Sequence, residues 1–199
     1  MALIAKDTGG GDFELAPAGN HVARCYSVVD MGLQERSFQG VTNHKQIVRI
    51  SWELCNEPMA DGRPFSVSAS YTLSLSEKSN LRRDLQSWRG RAFTEEELRG
   101  FDLFTILGVP AMVNVVHTTK GDRTYANVAG ITPLPKGMVA PELQNEILRF
   151  SLDDNDELAF NRLPEWLQKK INLRRQTPGA VHDSGPPTAS DFPDDDIPF

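Results

Sequence analysis

From Phe65 to Leu75 the chain alternates without interruption, with Phe65, Val67, Ala69, Tyr71, Leu73 and Leu75 on one parity and Ser66, Ser68, Ser70, Thr72 and Ser74 on the other. A period of two places successive side chains on opposite faces, so the segment predicts a half-buried strand with a hydroxyl-rich outer face. Gln46 to Cys55 repeats the pattern: Val48, Ile50, Trp52 and Leu54 share one face, with Arg49, Ser51 and Glu53 on the other. Trp52 therefore reads as core. Asp61-Gly62, between these runs, is a hairpin signal. Upstream, His21 to Asp30 carries Val22, Ala23, Cys25, Tyr26, Val28 and Val29 on both parities, a strand with apolar groups on both faces. Gly32 then opens a long polar connection, Leu33 to Lys45.

After Leu75 the period changes. Leu81, Leu85 and Trp88 fall on one side of a helix predicted from about Ser76-Glu77 to Gly90, and Thr94 with Glu97 makes a capping box for a short helix ending near Gly100. Ala111 to Thr118 is a valine-rich strand, Lys120-Gly121-Asp122 turns the chain, and Arg123 to Ile131 returns. The expected fold is mainly β. Three strands, a helical insertion and two strands follow the order of an OB-fold, a five-stranded barrel with a helix between strands 3 and 4. A five-stranded meander carrying a helix would read similarly.

Residues 1–19 form a glycine-rich N-terminal segment, 20–135 the predicted barrel, and 136–173 an extension. Pro164 suits the first turn of a short helix, Glu165 to Leu173, in which Leu163, Trp166, Leu167 and Ile171 can share a face. That face is expected to pack on the chain's own barrel, a second subunit being the other option. Residues 174–190 have the composition of a flexible linker, and 191–199 form an acidic tip in a disordered tail.

Composition sets limits. The chain has 199 residues, 39% hydrophobic and 24% charged, enough for one domain with appendages. No apolar run approaches the roughly 20 residues of a membrane helix, and the first residues do not read as a signal peptide, so a cytoplasmic protein is expected. Cys25 and Cys55 read as reduced thiols, and His21 with Cys25 as no more than half a metal site. The net charge of −6 is misleading for the body. Asp183, Asp191, Asp194, Asp195 and Asp196 lie in a stretch without Lys or Arg, so −6 less −5 leaves the body at −1. A nearly neutral body can hold a basic groove.

The tip combines Asp191, Phe192, Asp194, Asp195 and Asp196 with a closing Ile197, Pro198 and Phe199. Phe199 offers a ring for an apolar pocket, its carboxylate offers charge to a cation, and the acids suit a basic rim, as in a docking peptide. Pro193 and Pro198 keep it extended. This ending resembles the C-terminal tip of bacterial single-stranded DNA-binding proteins, with Pro193 as a departure. The stretch from Tyr71-Thr72-Leu73-Ser74-Leu75 to Ser87-Trp88-Arg89-Gly90-Arg91-Ala92-Phe93-Thr94 resembles phage-encoded single-stranded DNA-binding proteins. The resemblance implies sequence-independent binding of single-stranded DNA in phage replication, recombination and repair, in the host bacterial cytoplasm. It also implies recruitment of host replication and repair proteins by the tip, with no catalysis and no cofactor. A homo-oligomer is compatible with it.

On an OB-fold the strand would cross the face of strands 2 and 3, between the loop after strand 1 and the last turn. Those places hold Arg36, Phe38 and Lys45, then Arg49, then Arg63 in the hairpin, and Lys120, Arg123 and Tyr125 at the last turn. Cations follow phosphates and π-faces stack bases; Phe38 and Tyr125 are the stacking candidates, and Phe38 could instead fold into the core. Arg82, Arg83, Arg89 and Arg91 form the densest basic patch, suited to phosphate or to the acidic tail. A different class of function shares the same tail: an interaction protein that mimics the host tip and binds DNA poorly. A nuclease built on Asp194 to Asp196 would lack a scaffold for its metal.

Overall fold

The computed structural model describes residues 14–38, 41–154 and 156–175. The tip, residues 1–13 and most of the linker lie outside the described residues. The fold is mainly β. Strands β1 (Gly19–Phe38), β2 (Val41–Pro58), β3 (Pro64–Thr72), β4 (Pro110–Lys120) and β5 (Arg123–Thr132) pair in the order β3-β2-β1-β4-β5. All these pairings are antiparallel. A sixth strand, β6 (Leu148–Phe150), pairs parallel to β1 at Ser27–Val29. The two ends of the path, β3 and β5, approach each other, although no paired register joins them among the described residues.

Between β3 and β4 lie helices α1 (Asn80–Arg89) and α2 (Glu95–Arg99) and a 3₁₀ turn at Leu103–Ile106. The start of α1 is set by Ser79, whose hydroxyl accepts from the Arg82 amide and donates to Ser74 O at 2.6 Å, so Ser76 and Glu77 stay outside the helix. Gly90 closes it at φ 66°, a left-handed position that glycine takes without strain. The predicted capping box of α2 is present, with Glu97 and Thr94 satisfying each other's backbone amides. Among the described residues no helix is long and apolar enough to cross a membrane.

The main core lies on one face of the sheet. Val48, Ile50, Trp52 and Leu54 of β2 and Val67 and Tyr71 of β3 meet Leu81, Leu85 and Trp88 of α1. Trp52 and Trp88 pack edge to face with centroids 5.8 Å apart, and the Trp88 indole donates to Pro110 O at 2.8 Å, tying the helix to β4. Each such side chain removed from water contributes about 1.5–3 kcal/mol.

A second core covers the opposite face. Val29 and Met31 of β1 and Ile47 of β2 are buried against Phe150 of β6 and Leu163, Leu167 and Ile171, the last two on α4 (Glu165–Arg175). A short helix α3 (Glu157–Asn161) precedes α4 and brings Phe160 within 5.7 Å of the Phe150 ring. This explains the apolar groups on both parities of β1: the strand is sandwiched. The β1–β2 register shifts between Cys25 and Ser27, which carries Val28 onto the core face of Ala23 and Cys25, and again between Asp30 and Gly32. Asp30 Oδ1 accepts from the Gly32 amide and from Gln46, both at 2.8 Å. Gly32 sits at φ 70°, and a Cβ there would lie 2.7 Å from Leu152 Cδ1.

Two polar groups, the buried Glu53 and the half-buried Arg24, fasten the extension across β1 and β2. Glu53, 0% exposed, accepts from the amides of Gln144 and Asn145 and from the Asn145 side chain at 2.7–3.2 Å. Arg24 donates to the carbonyls of Pro141, Ala140 and Gly108 at 2.6–3.0 Å. Alternation places Glu53 on a polar face, and that face is covered.

Candidate nucleic-acid interface

The expected loop after β1 is a β-ribbon. β1 and β2 continue as a paired hairpin in which Gln34 is in register with Lys45, Arg36 with Asn43 and Phe38 with Val41. A two-stranded ribbon with polar residues on both faces needs no apolar alternation, which is why the sequence reads there as a polar connection. Lys45 is half-buried on this arm.

The β4–β5 turn carries the second group. Lys120 and Arg123 pair directly across it, and Tyr125 lies opposite Thr118 with about half of its surface open. The register puts the two projections at opposite ends of β1: Gly19 pairs with Val115, so the last residues of β4 run past the N-terminal end of β1, whereas the ribbon prolongs its C-terminal end. Arg63, in the β2–β3 connection, has its guanidinium on Asp61 at 2.6 Å, and this hydrogen bond holds the Asp61 carboxyl below its ordinary range.

The basic patch of α1 and the segment after it is largely engaged within the fold. Arg82 donates to Gln86 at 3.0 Å and to Leu75 O at 3.2 Å, and Arg83, well exposed, contacts Asp84 at 3.0 Å. Arg89 lies over the rings of Phe93 and Phe101 at 4.4 and 5.1 Å and pairs with Glu97. Arg91 donates two hydrogen bonds to the same carboxylate, at 2.7 and 3.0 Å. That contact, followed by the Thr94 amide, pulls the Glu97 carboxyl down to about 2. Arg89 thus anchors α2 to α1, and Arg91 ties α2 to the segment that follows α1.

Arg49 sits on the outer face of β2, paired with Val29 on one side and Ser70 on the other. Its guanidinium lies 5.0 Å from the centroid of the Trp166 ring on α4. Burial pushes this guanidinium below its ordinary range, yet among the described residues no carboxylate pairs with it. Beside it the hydroxyl row of β3 is only partly covered: Ser66 and Ser70 are exposed, and Ser68 donates to Ser51 at 2.9 Å. The open part of the expected face is therefore the β3 side, bounded by Arg49 and Trp166.

No protein-family model matches the chain, and no curated protein matches it.

Trp166 is placed differently from its periodicity. Leu163, Leu167 and Ile171, four residues apart, form the buried stripe of the extension, and Trp166 falls one position ahead of Leu167, at the rim and 51% exposed. The same helix carries Lys169, Lys170, Arg174 and Arg175 against one acid, Glu165. That run of cations is visible in the sequence, whereas the proximity of Trp166 to Arg49 depends on tertiary packing. Outside this surface, His21 contacts Glu57 at 3.2 Å and Pro17 O at 2.9 Å, both cysteines are free thiols, and burial pushes Cys25 up to about 12. Among the described residues no three His, Cys, Asp or Glu side chains gather as a metal site.

Proposed function

We propose that this chain binds single-stranded DNA without sequence preference, in the manner of a phage-encoded single-stranded DNA-binding protein, and that its tip, Asp191 to Phe199, recruits host replication and repair enzymes. The observation that carries the DNA reading is the sheet path β3-β2-β1-β4-β5 with α1 between β3 and β4. Together with the approach of β3 to β5, it supports an OB-fold barrel. On that fold the strand would run along the open β3 side past Arg49, flanked by Arg36, Phe38 and Lys45 on the ribbon and by Lys120, Arg123 and Tyr125 at the opposite end. No catalytic step is part of this reading.

A second reading has an observation in its favour. The extension covers the outer face of β1 and β2, half of the surface that an OB-fold offers a strand, through Glu53, Arg24 and the second core. This favours an interaction protein that imitates a host tip and binds DNA weakly.

Fluorescence-anisotropy titration of matched single-stranded and duplex oligonucleotides, with the full chain and with a variant ending at Ser190, separates the two. Strong single-strand preference in both proteins is the expected outcome. Absence of any preference in either overturns the DNA reading and leaves the tip as the functional element.

A further inference from the structure

The extension supplies an aromatic group at the open edge of the sheet. The chain has three tryptophans; Trp52 and Trp88 are 0% and 4% exposed, and Trp166 is 51% exposed. An indole that served only to cover the sheet would gain most by full burial, as Leu167 and Ile171 on the same helix do. Trp166 instead keeps half of its surface in water while its ring meets the Arg49 guanidinium at 5.0 Å. Arg49 is itself partly desolvated and has no carboxylate partner among the described residues. Such a cation suits an anion that arrives from outside.

A guanidinium beside an indole offers the two contacts that each nucleotide of a single strand can use, charge for the phosphate and a π-surface for the base. The surroundings match in sign. On α4, Lys169 and Lys170 follow Trp166 within about one turn, and the Glu165–Lys169 pair at 2.7 Å is exposed on both sides and therefore weak. Ser70 lies directly across from Arg49 and continues the surface onto the hydroxyl row of β3.

We propose that Trp166 and Arg49 form a base-stacking and phosphate-binding platform, so that the C-terminal extension is part of the DNA surface and not only a cover for the sheet. The proposal rests on the single-stranded DNA reading above. It also reassigns the covered half of the sheet: the extension replaces the β1–β2 face as a ligand surface.

Because the other two indoles are buried, collisional quenching of tryptophan emission by iodide reports chiefly on Trp166. The experiment titrates the full chain with an oligothymidylate of roughly 16 nucleotides, the upper end of usual OB-fold site sizes. It follows the anisotropy of a dye on the DNA, the emission of the protein and the iodide sensitivity of that emission. Expected are quenching of the emission on binding and protection of Trp166 from iodide. Trp166→Ala should weaken binding about 5- to 150-fold, the equivalent of one lost stacked base, with Trp166→Phe retaining most of the affinity. Arg49→Ala should lower the slope of log affinity against log salt by about 1. Circular dichroism melting of each variant separates a folding defect from a binding defect, and the quenching of the parent chain needs no variant. If the parent binds DNA with unchanged emission, or Trp166→Ala binds like the parent, the platform is overturned and the DNA reading stands. If the parent binds no single-stranded DNA, both fall.

Discussion

Glu53 shows how one residue can change the meaning of a face. By alternation it is a solvent-facing carboxylate; in the fold it is fully buried and accepts from three donors of Gln144 and Asn145. Removing it would delete charge-assisted hydrogen bonds to Gln144, which is exposed, and Asn145, which is half-buried, so Glu53→Ala should destabilise the protein by about 2 kcal/mol. Urea denaturation monitored by circular dichroism checks this, and a loss below about 0.5 kcal/mol would show that the staple contributes little. Arg49 was legible as a candidate because alternation put it opposite Val48 and Ile50. Trp166 was not: a rim position one residue ahead of the buried Leu167 differs from a core position only by the shape of what it packs against.

At the scale of elements, β3 and the part of β2 that pairs with it were legible from alternation, and β4 and β5 from a valine-rich run and the turn that returns it. Helix α1 was legible from Leu81, Leu85 and Trp88 at helical spacing, although its cap is Ser79 and not Ser76, and α2 from a capping box that is local chemistry. The ribbon beyond Gly32, β6 and α3 were not. The ribbon's residues show no apolar alternation, and β6 is three residues held by pairing with β1, a contact made far away in sequence. The junction of α1 and α2 gives a pH prediction. Glu97 is held near 2, below the ordinary 4.5, by Arg91 first and then by the Thr94 amide. A depressed carboxyl stabilises the fold fully above about pH 4.5, and the contribution disappears as pH falls toward 2. Thermal melts of the parent and Glu97→Gln across that range should therefore converge at the acid end; a constant gap would place the stabilisation elsewhere.

For the whole molecule the distribution of charge matters more than its total. The body is nearly neutral while the last 17 residues carry five acids, and α4, the last described element, is basic. On the proposed single-stranded DNA reading, an acidic tip beyond a basic helix competes with DNA for the same cations. Deleting Asp191 to Phe199 should then tighten single-strand binding at low salt and change it little at high salt, because the Debye length falls from about 30 Å at 0.01 M to about 10 Å at 0.1 M. Affinities that coincide at every salt concentration would exclude the competition.

The sandwiching of β1 has a consequence for how the protein is made. Val29, Met31 and Ile47 leave the ribosome early, but their covering residues, Leu163, Leu167 and Ile171, follow more than a hundred positions later. At ordinary elongation rates that interval is on the order of ten seconds. Until then the nascent strand lacks the helix stripe that covers its aliphatic surface in the folded chain, and the polypeptide is open to capture by a chaperone or by another nascent copy.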